Sequence, residues 1–209
     1  MRSASAGAAL QRPAATLRTG ARIARRAWRQ ALGLPARADT ADRRWLEQVL
    51  FPHYAQRQDI ATVLLVGTRW YTRHYPALLP SQRCISIDIA AAAARHGSVG
   101  GHIIDDVRHV ARHLAPASVD LVLCNGVFGW GLDEPVALDQ ALSALAQVLR
   151  RRGELVFGWN DVRGHCPFDW RAVPRWRAFE PLPFAPSGGR THIALPTDNQ
   201  HCFDFFACR

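Results

Sequence analysis

Lysine is missing from these 209 residues, and all 26 basic side chains other than histidine are arginine. Beside the alanine runs, this marks an Arg- and Ala-rich coding bias more than a surface selected for phosphate contacts, so the formal charge of +9 does not by itself argue for nucleic acid. The charge is also unevenly placed. Residues 1–50 hold ten arginines against Asp39, Asp42 and Glu47, whereas the remainder is close to neutral. Cysteine is scarce, with five residues, no C-x-x-C pair and no histidine comb nearby. A disulfide framework and a zinc site are therefore not expected, and a reducing cytosol fits best. No run of roughly 18 apolar residues occurs, and the first residues lack the unbroken apolar core of a secretory signal. A soluble protein, or at most a peripheral one, is expected. The G-x-G-x-x-G fingerprint of dinucleotide-binding oxidoreductases is absent as well.

With 48% hydrophobic residues, the chain can build one full-sized core but not two. Residues 1–16 are small, polar and arginine-dotted, and this composition predicts a disordered tail. Over residues 17–34, Ile23, Ala24, Trp28, Ala31 and Leu32 alternate at helical spacing with Arg22, Arg25, Arg26 and Arg29, which predicts a basic amphipathic helix. It reads either as a leading helix packed on the domain, as a contact for a membrane surface or an anionic partner, or as an Arg-rich transit peptide. The division expected is a tail and helix over 1–38 and one domain over 39–209.

A further helix is predicted over 42–54. Apolar strands then alternate with short helical stretches: strands over 62–66, 84–89, 102–104 and 119–124, helical stretches over 71–79, 90–95 and 108–114. The strongest helix runs from Val136 to Leu149, with Asp133 as its cap, Pro135 in its first turn and Gly153 as its stop. A strand follows over 154–159, and two last runs, 191–195 and 201–208, predict an antiparallel hairpin at the sheet edge. Continuous apolar strands separated by helices imply an α/β fold, a doubly wound sheet covered on both faces.

In such a sheet ligands bind outside the carboxyl ends of the strands, where strand order reverses. Gly67 and Thr68 follow the first strand, where glycine permits a tight turn. Asp88 ends the second strand, placed either to accept from ribose hydroxyls or to cap the Ala-rich segment behind it. Asp105 and Asp106 end the third, where a carboxylate and the Val107 N–H could read an adenine edge or simply form a solvated turn. Asn125 ends the fourth and opens a Gly- and aromatic-rich loop whose Phe128 and Trp130 either line a pocket or plug the core. Asp133, His74, His165 and Asp161 are the candidate general bases, with the catalytic residue left open. The aromatic stretch 160–190, with Trp170, Trp176 and Phe179, suggests a cover over the substrate side.

Together these segments resemble the class I S-adenosylmethionine-dependent methyltransferases, chiefly the small-molecule group. The resemblance covers about residues 60–160. It rests on the glycine loop over 63–72, the acids Asp88 and Asp106, the D-L-V-L-x-N strand of Asp120–Asn125, and Val148-Leu149-Arg150-Arg151-Arg152-Gly153 in place of the family's VL-R-P-G-G passage. Leu65, Arg69 and Tyr71 stand where the family commonly has an acid and two glycines. The resemblance implies a seven-stranded Rossmann-like sheet and S-adenosylmethionine held by Gly67, Thr68, Asp88, Asp106, Val107 and Asn125. It also implies a small-molecule acceptor, while the cysteine pattern and the charge distribution lead to the expectation of no metal and no nucleic acid. The alternative is a methyltransferase-like module that binds or docks without catalysis.

Overall fold

The computed structural model describes residues 40–99 and 101–209, which belong to one compact unit, Thr40–Arg209. The tail and basic helix expected over 1–38 lie outside the described residues. Among those described, no helix is long and apolar enough to cross a membrane.

One sheet organises the unit. Its strands are β1 (Thr62–Val66), β2 (Arg83–Asp88), β3 (His102–Ile104), β4 (Val119–Asn125), β5 (Leu149–Asn160), β6 (Phe179–Pro181), β7 (His192–Ala194) and β8 (His201–Cys208). Their order is β3-β2-β1-β4-β5-β8-β6, with β7 also on β8. The first five pair in parallel, and β8 runs antiparallel to β5. The sheet is thus Rossmann-like, mostly parallel, with the expected antiparallel hairpin formed by β7 and β8. There are eight strands where seven were expected, because β6 takes the far half of β8 while β7 takes the near half. The short β6 ends in Pro181, a residue that strand patterns reject except at an edge.

Both faces of the sheet are covered, as the unbroken apolar strands require. On one face, Leu64, Val122, Cys124, Leu155 and Phe157 meet helix α2 (Pro135–Val148). Its Leu138, Ala141, Leu142, Leu145 and Val148 recur at helical spacing and are buried. On the other, Val63, Leu121, Val156, Phe203 and Phe205 meet α1, the helix over 41–55, through Leu46, Leu50, Phe51 and Tyr54. Each Leu, Val or Phe among them stabilises the fold by about 1.5–3 kcal/mol through burial. Helix α1 widens to a π-helix over Leu46–Leu50 just before Pro52. Proline offers no N–H and its ring presses on the carbonyl four residues back, so a wider turn relieves the clash.

Three details depart from the sequence expectations. Glu134, not Asp133, occupies the N-cap of α2, without a side-chain bond, because Asp133 turns back to accept from the Gly131 N–H at 3.3 Å. Helix α2 ends at Val148, before Gly153, since Leu149 is already extended and pairs with Val119. Residues between Leu149 and Glu154 bulge out of the ladder, with Arg152 at φ 62°. The three helical stretches are 3-10 segments: Tyr75–Leu78, Ala91–His96 and Val107–Arg112. Each is too short to nucleate an α-helix.

Candidate active site

Strand order reverses about β1, with β2 on one side and β4 on the other. A cleft of about 450 Å³ opens there, and Gly67, Thr68, Asp88, Asp106, Val107 and Asn125 all line it. Gly67 adopts φ +84°, and a Cβ there would press within 3.1 Å of Val127 Cγ1. Its backbone N–H donates to Ile87 O at 2.9 Å, tying the loop to β2. Glycine is thus needed both for the turn and for the open space above it.

Asp88 is buried. Its Oδ2 accepts from the Thr68 N–H at 2.7 Å and from Arg69 Nη1 at 3.2 Å, and its Oδ1 accepts from the Ala90 N–H at 2.9 Å. Asp88 thus anchors the turn that leads into the Ala-rich segment, whose N-cap is Ala90 with no side-chain bond, and the same carboxylate lines the cleft. Arg69 is half-exposed at the rim. Asp106 caps the Val107–Arg112 segment, accepting from the Arg108 N–H at 2.9 Å and Arg108 Nη2 at 2.7 Å. Burial pushes its pKa up, but the Arg108 bonds outweigh this and hold it below the usual range. Asp105 accepts from His113 and His109, which likewise hold its carboxyl below the usual range. Asn125 differs from all of these. Both its amide oxygen and its amide nitrogen are buried with no partner among the described residues, and a Cβ on Gly158 would overlap its Oδ1. A buried amide left without partners costs stability.

Two further contributions come from the ends of the domain. Arg43 of α1 donates to the Tyr75 hydroxyl at 2.8 Å, lies over the Tyr71 ring at 4.6 Å and sits 3.5 Å from Asp42. Burial works against its charge, but Tyr75, Tyr71 and Asp42 prevail and keep its pKa above the ordinary value. At the last rung of the β5–β8 ladder, Asn160 pairs with His201, and His201 Nδ1 lies 2.7 Å from Asn160 Oδ1. His201 Nε2 is buried without a partner among the described residues. Burial, aided by Arg43 and opposed by Asp42, pushes the imidazole pKa down to about 4. Asp42, Arg43, Tyr71, Asn160 and His201 all line the same cleft.

No protein-family model matches the sequence, nor does any curated protein. Solved structures do. The N-methyltransferase NodS from Bradyrhizobium japonicum, in complex with S-adenosylhomocysteine, superposes with a TM-score of 0.61 at 16% identity, over 81% of this chain and 89% of its own. A TehB-like SAM-dependent methyltransferase from Corynebacterium glutamicum gives 0.59 at 14% identity, over 93% and 100%. The 1,6-didemethyltoxoflavin-N1-methyltransferase of Burkholderia thailandensis, with bound 1,6-didemethyltoxoflavin and S-adenosylhomocysteine, gives 0.55 at 17% identity, over 97% and 93%. The fold is that of the class I S-adenosylmethionine-dependent methyltransferases.

Within this methyltransferase fold the unusual loop residues have specific places. Leu65 belongs to the α1-side core, Arg69 pairs with Asp88, and Tyr71 supports Arg43 instead of crowding the turn at Gly67. The aromatic loop after β4 divides its roles. Phe128 is fully buried against Phe157 and Phe168, while exposed Trp130 lines the cleft and stacks on His165 at 4.4 Å. Trp159, Trp170 and Phe179 fill the α2-side core and do not cover the cleft; Trp170 packs on Phe157 at 5.1 Å. None of the four candidate bases lines the cleft. His74 is engaged by Glu47 at 2.8 Å, and Asp161 faces a separate groove beside Trp159 and Trp170. Cys84 and Cys124 are structural thiols, pushed up by burial to about 11 and about 12.

Proposed function

We propose that this protein transfers a methyl group from S-adenosylmethionine to a small-molecule acceptor. The observation that carries the reading is the cleft at the reversal of strand order, where the cradle left by Gly67 stands beside the unpartnered Asn125 amide. The residues present suit the cofactor. Arg43 would receive its carboxylate in charge-assisted hydrogen bonds, Asp88 Oδ1 has acceptor capacity left for a ribose hydroxyl, and Asn125 would answer a donor and an acceptor together. When bound, the cofactor supplies a methyl on a positive sulfur that departs as a neutral thioether. The protein's part is then to bind, to orient and to exclude water. A cleft of about 450 Å³ falls in the range of small-molecule sites, and the toxoflavin-precursor enzyme among the structural neighbours acts on such a molecule. With all five thiols free, we assign the protein to a reducing cytosol.

A non-catalytic binding module is the second reading, favoured by one observation: Asp88 already accepts from Thr68, Ala90 and Arg69. Calorimetric titration with S-adenosylhomocysteine, with NAD as the rival ligand, separates the two. Micromolar binding weakened at least tenfold by Asn125→Ala is expected. A folded protein silent to S-adenosylhomocysteine would sink the catalytic reading in favour of the module.

A further inference from the structure

Every carboxylate lining the cleft already has a basic side chain beside it. Asp42 stands beside Arg43, Asp88 beside Arg69 and Asp106 beside Arg108, while Asp105 is bound by His109 and His113. None stands without a partner, and the buried Arg43 charge repels a cationic acceptor. What the cleft does present is His201. Its Nδ1 faces the Asn160 oxygen at 2.7 Å, and an oxygen there can only accept, so Nδ1 carries the proton and Nε2 the lone pair. The antiparallel rung that pairs Asn160 with His201 sets the two side chains beside each other. The ring is further held by Phe203, edge-on at 4.6 Å, and by its backbone N–H, which donates to Thr197 Oγ1 at 2.9 Å. Nε2 is left buried and unpartnered in the cleft wall.

Building on the methyl-transfer reading, we infer that His201 Nε2 is the proton acceptor of the reaction, that Asn160 is its positioning residue, and that the acceptor is a neutral, flat N–H nucleophile of the arylamine type. Trp130 and Tyr71 line the cleft and supply aromatic surface for such a molecule. As the acceptor nitrogen's lone pair forms its bond to the methyl carbon, the electron pair of the breaking carbon–sulfur bond stays on sulfur. The nitrogen's proton passes to Nε2 and from there to solvent. The imidazolium so formed meets the negative charge of Asp42 and is opposed by Arg43. Burial makes His201 a weak base, and a weak base suits an arylamine, whose alkylated cation sheds its proton readily. An aliphatic amine would hold that proton and would enter the cleft already charged.

The test uses the full-length protein labelled with ¹⁵N-histidine and saturated with S-adenosylhomocysteine, with millimolar aniline as the probe. The Nδ1–H tautomer of His201 is expected, together with a shift of its Nε2 resonance on adding aniline. N,N-dimethylaniline, which lacks the N–H, and benzylammonium, which is charged, should leave that resonance in place. His201→Phe should keep S-adenosylhomocysteine affinity within about twofold and weaken aniline binding at least tenfold. His201→Gln, which retains an acceptor oxygen, should recover part of it and guards against a folding defect in the first variant. Asn160→Ala should yield a mixture of His201 tautomers. An Nε2–H tautomer in the native protein, or aniline binding unaltered in His201→Phe, overturns the proposal while leaving the cofactor reading intact. Failure of the wild type to bind S-adenosylhomocysteine overturns both, and is recognised in the calorimeter before aniline is added.

Discussion

At the scale of single residues, the site is set by what neighbouring positions leave out. Asn125 keeps its amide in the cleft because Gly158, across the β4–β5 ladder, has no Cβ to displace it. Gly158→Ala is therefore expected to do two things. It should lower stability by about 1–3 kcal/mol through overpacking, and it should weaken S-adenosylhomocysteine binding at least tenfold by turning Asn125 away. Urea denaturation and calorimetry read the two effects separately, and normal affinity in the alanine variant would refute the part assigned to Asn125. Asp88 is less suited to such a test. It holds the Thr68 and Ala90 backbone as well as facing the cleft, so its removal mixes loop collapse with lost contact.

The element that joins the site to the rest of the sheet is α1. Its Tyr54 is fully buried and donates to Glu154 Oε2 on β5 at 2.8 Å, while Arg57, just beyond the helix, reaches Glu154 Oε1 at 3.0 Å. Burial first, and the Glu154 charge second, push the Tyr54 hydroxyl well above its ordinary pKa, so it stays a donor at any working pH. Tyr54→Phe leaves the buried carboxylate short of a donor, and a loss of about 1–3 kcal/mol is expected. It should appear as a lower urea midpoint at unchanged slope. A change within a few tenths of a kcal/mol would mean that the Arg57 bond alone satisfies Glu154. Elements of this kind were only partly legible in the sequence. Strands β1, β2 and β4 could be read because both their faces are buried, which makes them continuous apolar runs. The strand ends then pointed to Gly67, Asp88 and Asn125. Arg43 and His201 could not be read that way, since α1 and β8 reach the cleft only through tertiary packing, and one arginine among 26 carries no mark. The signal for His201 was local but faint: a histidine opening a run otherwise made of Cys, Phe, Asp and Ala. The roles of Trp159 and Trp170 were obscured for the opposite reason, because an aromatic that fills a core and one that lines a pocket look alike in one dimension.

For the whole molecule, the buried neutral His201 makes stability depend on pH in a definite direction. Its pKa is about 4 in the folded protein against 6.5 as the reference, so between these values the unfolded chain binds a proton that the folded chain does not. Stability is then flat in this group above about pH 6.5 and falls as pH drops from 6.5 towards 4. At about 1.4 kcal/mol per pH unit the loss from this one residue approaches about 3 kcal/mol. The carboxylates act lower down and with the opposite displacement. Asp59, bonded by Arg57 and pushed down to about 2, and Asp120, whose bonds from Thr62, Arg150 and Ala61 overcome its burial, lose their contribution only as pH falls below about 4. Two acid steps should therefore separate when urea midpoints are followed from pH 8 to pH 3. His201→Gln should shrink the upper step, to which His53, His96 and His102 also contribute because burial lowers their pKa values, and leave the lower one in place, because the variant keeps every carboxylate and its ion pairs. A wild-type midpoint that stays level from pH 6.5 to 4.5 would mean that His201 takes up its proton inside the fold, and Nε2 would then be a donor in the cleft instead of the acceptor that the reaction requires.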